Sequence, residues 1–106
     1  MTQMTVRPVA PELLALASSV NAVGDKRRVS RYPHVSHIEA AARSLEQPDV
    51  WQFVTVYRSA QTPRALALDI ARGRHPVYAS AGAFEARELP VGLGTGLFVK
   101  YVGGAA

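Results

Sequence analysis

Arginine is the residue of this chain whose type and spacing most suggest chemistry. The segment from Asp25 to His34, DKRRVSRYPH, carries Lys26, Arg27, Arg28 and Arg31 against one acid, Asp25, with Tyr32 interleaved. A second region supplies Arg58, Arg64, Arg72 and Arg74 against Asp69, with His75 beside the last arginine. Each region has a local charge of +3. A guanidinium presents a planar fork that binds phosphate through two parallel hydrogen bonds. A row of such forks follows a nucleic-acid backbone. The whole chain has a net charge of +4 and a pI of about 10.0, a balance that favours an anionic partner. Codon bias from a GC-rich genome is the bland source of the same arginines.

Other chemistries find less support. The chain has no cysteine, so disulfides, thiolate metal sites and a cysteine nucleophile are excluded. His34 and His37 are three apart and His75 is remote, with no acidic third ligand in evidence, so no metal is expected. The serines and the eight acids are scattered, and no triad or carboxylate pair emerges. No catalysis and no cofactor are expected. Gly92, Gly94 and Gly96 resemble a phosphate loop only in composition, because a strand and not a helix follows them. They read as a flexible connection from Leu89 to Gly96.

Those side chains must be held by a single domain, since 106 residues suffice for one. Residues 1–34 read as a tail, a first helix and a basic arm, and residues 35–104 as an α+β core. Pro11 suits the first turn of a helix that ends by Gly24, with Leu13, Leu14, Ala17 and Val20 on one face. Pro33 argues against helix in the arm. Ser36 and Glu39 form a capping box for a second helix, with Ile38, Ala42 and Leu45 as its inward stripe and Glu39 paired to Arg43. Pro48 ends it.

Asp49 to Arg58 is the clearest strand, apolar on both faces and therefore expected at the centre of the sheet. Alternation puts Trp51, Phe53, Thr55 and Tyr57 together. They are either a stacking platform for bases or core beneath a helix. Thr62 and Pro63 start a third helix, with Leu66, Ala67, Ile70 and Ala71 buried and Gly73 as its stop. A short strand over Val77 to Ala79, a strand through Phe84 with Glu85 and Arg87 outward, and a last strand LFVKYV complete the core. The expected fold is α+β: a small, mainly antiparallel sheet of about three or four strands with a packed helix, plus two N-terminal helices.

Trp51, IARG at Ile70 to Gly73, AGAFEAR at Ala81 to Arg87 and VKYVG at Val99 to Gly103 carry a resemblance. Over residues 45–104 the chain resembles a group of small uncharacterised proteins of actinobacteria and their phages. In that group a tryptophan strand is followed by an IR-x-G helix end, a GAFEA strand and a YVG end. Ala71 stands where an arginine is common there. The resemblance implies a phage or actinobacterial cytoplasmic origin and no established activity.

The first reading is therefore a non-enzymatic nucleic-acid-binding protein, with DNA the expected partner. Lys26, Arg27, Arg28, Arg31, Arg64, Arg72, Arg74 and His75 would make its contacts. The rival is a phage-encoded module that binds a host protein or joins an assembly, through Leu13, Leu16 and Leu68. Self-association is compatible with either. No run of apolar residues is long enough for a membrane span, and the N-terminus lacks a secretory layout, so the cytoplasm is the expected location.

Overall fold

The computed structural model describes residues 9–22, 33–78 and 81–103. They form α1 (Pro11–Ala22), α2 (Pro33–Glu46), β1 (Gln52–Tyr57), α3 (Gln61–Ala71), β2 (Phe84–Val91) and β3 (Gly94–Tyr101). The sheet is antiparallel with strand order β1-β3-β2. This is the expected α+β architecture of three helices and a three-stranded sheet.

Both faces of the sheet are covered. Leu97 and Val99 of β3 join α2 and α3 residues such as Ala40 and Ile70 in one buried cluster. Phe98, between them in sequence, joins Leu13 and Ala17 of α1 and Trp51 in the other. Alternation along β3 thus divides the core into two layers. The expectation that β1 is central is corrected: β3 is central and β1 lies at an edge. A strand covered by helices above and below reads as apolar on both faces whether or not it has two strand neighbours.

β1 also breaks its own alternation. Phe53 pairs with Phe98 and Thr55 with Leu97, so two steps on β1 match one on β3. This bulge shifts the phase by one residue. Val56 consequently packs with Trp51, while Tyr57 turns to the α2 and α3 side. Trp51 is buried core, with the Lys100 ammonium 5.0 Å from its ring centroid.

α2 begins at Pro33, three residues before the expected cap. Pro33 occupies the first helical position, where it loses no intrahelical hydrogen bond. Ser36 is thus inside the helix. The expected inward stripe is also corrected: Ile38, Ala42 and Leu45 are exposed, and His37, Ala40, Ala41 and Ser44 are buried. Arg43, expected to pair with Glu39, donates instead to the Phe53 carbonyl at 2.7 Å and to Gln52 Oε1 at 3.3 Å.

α3 ends as its sequence indicates. Gly73 has φ 73°, its N–H donates to the Ile70 carbonyl, and the Arg74 N–H donates to the Asp69 carbonyl. These two bonds make a Schellman motif. At the other end the Thr62 N–H donates to Ser59 Oγ, so Ser59 and not Thr62 supplies the side-chain oxygen. Val77 and Tyr78 lie in turns, not a strand; Ala79 is outside the described residues.

The glycines at 92–96 belong to the β2–β3 hairpin, whose strands extend into the segment expected to be a loop. Val91 pairs with Gly94 across a two-residue loop, and Gly92, its first residue, has the positive φ that a type II′ turn requires. A Cβ on Gly94 would stand 2.5 Å from the Tyr57 carbonyl oxygen and 2.7 Å from Val56 Cγ1. Gly94→Ala is therefore expected to destabilise by about 1–3 kcal/mol, the usual cost of overpacking. Urea denaturation would measure it, and an unchanged midpoint would contradict the close approach of β1 and β3.

Candidate nucleic-acid interface

The basic side chains of α3 take the positions expected of a solvent-facing row. Arg64, Leu68 and Arg72 are spaced by four and all exposed, and Arg74 is exposed just beyond the helix. Arg64 is not a free cation: its Nε lies 3.5 Å from the Glu88 carboxylate on β2. Arg72 and Arg74 sit at the negative end of the α3 dipole, which favours cations there. Lys26, Arg27, Arg28 and Arg31 lie outside the described residues, as does the gap that they span between α1 and α2.

His75 is half-buried and does more than line an edge. Its ring centroid lies 4.6 Å from that of His37 and 5.1 Å from that of Tyr78. Its Nδ1 accepts the Val77 N–H at 3.2 Å. The ring contact with His37 joins the segment after α3 to the second turn of α2. Pro33 is one helical turn, or about 6 Å, before His37. Arg31 lies two residues before Pro33 in the sequence, outside the described residues. The His37–His75 contact makes a corner between α2 and the segment that carries Arg72 and Arg74.

Beneath that corner is a polar cluster that sequence reasoning missed. His37 is only 3% exposed. Its Nδ1 is 2.9 Å from Tyr78 Oη and its Nε2 is 3.0 Å from Tyr57 Oη. The Tyr78 hydroxyl donates to the His37 main-chain oxygen at 3.3 Å. One neutral tautomer satisfies all three: Nδ1–H donates to Tyr78, and Nε2 accepts from Tyr57. Residues 37 and 78 are 41 apart, joined by no local pattern. The signal within reach was a histidine flanked by alanines on the less bulky face of a helix.

Burial, with a smaller contribution from Tyr57, pushes the Tyr78 phenol well above its ordinary value, against an opposing pull from Arg43. Burial also raises Tyr57. Both phenols thus serve as neutral hydrogen-bonding groups at physiological pH. A raised folded pKa means that the associated stability is intact below the unfolded value of about 10 and is lost as pH rises beyond it. Stability should therefore fall above about pH 10. In a titration followed at 295 nm, Tyr78 should ionise together with unfolding. Reversible ionisation of every tyrosine in the folded protein would contradict this.

The leucines proposed for a partner separate. Leu13 is fully buried against the sheet, and its place at a partner surface is corrected to core. Leu16 packs partly against the same cluster, and Leu68 is 50% exposed. Among the described residues no three metal-ligating side chains converge. The side chain of His34 lies outside the described part. No described helix is long and apolar enough to cross a membrane.

The charge divides unevenly along the chain. The described residues hold seven basic and seven acidic side chains, a net charge of zero. Arg7, Lys26, Arg27, Arg28 and Arg31, against Asp25 alone, account for the whole excess of +4. No family model matches this chain, and no curated protein or solved structure is significantly similar to it.

Proposed function

We propose that this chain is a non-enzymatic nucleic-acid-binding protein, with duplex DNA as its partner, that contacts phosphates through the basic arm and the C-terminal corner of α3. The observation that carries the reading is the distribution of charge along the sequence: residues 23–32 hold Lys26, Arg27, Arg28 and Arg31 against Asp25, a charge of +3, while the described residues sum to zero. A dense run of cations attracts a polyanion. Arg72 and Arg74 are exposed just past α3 and would supply further phosphate contacts. Arg64 contributes little, because Glu88 offsets its charge.

Duplex is favoured over single strand by where the rings lie. Among the described residues Trp51, Tyr78, Phe84 and Phe98 are buried, and Phe53, Tyr57 and Tyr101 partly so; Tyr32 lies outside them. Stacking platforms require exposed rings; phosphate contacts do not. Anisotropy titration of a labelled duplex at increasing salt tests the reading. A linear fall of log affinity with log salt is expected, and no binding at about 50 mM salt would sink it.

A further inference from the structure

α2 is packed inside out with respect to its own sequence. Among its described side chains the bulky apolar ones face solvent, Ile38 at 49% and Leu45 at 56% exposure with Ala42 exposed between them. Its sheet-facing side holds two alanines, a histidine and a serine. Ser44 satisfies its hydroxyl on the Ala40 carbonyl, and His37 uses both ring nitrogens on the two tyrosines. The alanines let the helix sit close to the sheet, and the histidine bonds fix its rotation. Burial of apolar area alone would have rotated it the other way. The structure thus spends a polar network to hold an apolar stripe outward. The stripe runs at i, i+4, i+7, about 10 Å along the helix; Val50, beyond the end of the helix, is 46% exposed.

The charge around this stripe identifies what fits it. Glu39 and Glu46 flank it along one side, and Asp49 lies exposed beside Val50. Arg43, the one cation on the helix past its first turn, is turned toward β1 by its bonds to Phe53 and Gln52. The rim is therefore acidic, on a body whose described residues are neutral overall. A second copy of the chain would set this acidic rim against its own likeness, since pairing about a two-fold axis apposes the same patch. An amphipathic helix with an apolar stripe and flanking lysines or arginines matches both the spacing and the charge.

We propose that the outward face of α2, centred on Ile38, Ala42 and Leu45, docks a basic amphipathic helix of another protein. The site is built from α2 alone and does not depend on nucleic-acid binding. A DNA-binding chain with this surface would link its nucleic acid to a partner.

Calorimetric titration of the full chain with a designed helical peptide tests the proposal. The peptide carries leucines at i, i+4 and i+7 flanked by lysines, and a second peptide has glutamates in place of the lysines. The lysine peptide should bind at micromolar level, about 10-fold or more tighter than the glutamate peptide. Ile38→Ser and Leu45→Ser should each weaken it about 10-fold while leaving the thermal midpoint nearly unchanged, because both side chains are half-exposed. Glu39→Gln with Glu46→Gln should weaken it and flatten its salt dependence. Absence of binding overturns the proposal. So does equal binding to the wild type and the serine variants, which would mean charge attraction alone. Sedimentation showing a dimer that Leu45→Ser dissolves would assign the stripe to a second copy and overturn it as well.

Discussion

Tyr78→Ala is expected to lower the unfolding free energy by about 3–5 kcal/mol, the range for removing a buried aromatic ring. Tyr78 is fully buried although it lies in a turn. Its ring meets Phe84 edge-on at 5.1 Å and His37 at 5.4 Å, so one side chain ties the loop after α3 to both β2 and α2. Truncation opens a cavity among these rings and leaves His37 Nδ1–H without its acceptor. Tyr78→Phe separates the two effects. It keeps the ring and forfeits the hydroxyl, for an expected loss of about 1–3 kcal/mol as a buried donor goes unsatisfied. Domains are stable by only about 5–15 kcal/mol in total, so the alanine variant should stand near its folding threshold. Urea denaturation monitored by Trp51 fluorescence gives both values. A loss under about 1 kcal/mol for alanine would contradict the central place given to this cluster.

The same cluster explains where sequence reading succeeded and where it failed. Signals confined to a few residues were legible. Pro11 marked the start of α1 and Gly73 the Schellman stop of α3, whereas β2 has no outer face, since α1 covers the side that Arg87 shares with Leu89 and Val91. Periodicity also located α2 within a few residues. It could not give the rotation of α2, because the stripe of Ile38, Ala42 and Leu45 records that a face is apolar and not what it faces. The rotation is set by Tyr57 and Tyr78, 20 and 41 residues further along the chain. The bulge at Val54 and the edge position of β1 have the same cause, since both depend on pairing with β3 at the far end of the sequence. For the site, the basic residues were legible as types. The division of charge, +3 over residues 23–32 and zero over the described residues, was seen only once the elements were placed.

That division makes the arm the place of the second large effect. Replacing Lys26, Arg27, Arg28 and Arg31 together by alanine removes four positive charges, equal to the entire net charge of the chain. If each cation neutralises one phosphate, the salt slope of duplex binding should fall by about 3.6, at 0.9 per phosphate. For four contacts that slope corresponds to an affinity change of about 100-fold between about 50 and 200 mM salt. Most binding should therefore vanish at moderate salt, with little change in the urea midpoint. Two further variants locate the contacts. Arg72→Ala with Arg74→Ala should reduce the slope by about 1.8, since both side chains are exposed at the end of α3. Arg64→Ala should leave it nearly unchanged, because Glu88 already holds that guanidinium and Arg64 is not counted among the phosphate contacts. A quadruple variant that binds duplex with the wild-type slope would remove the arm from the interface. Loss confined to Arg64→Ala would place the contacts on the outer row of α3 instead.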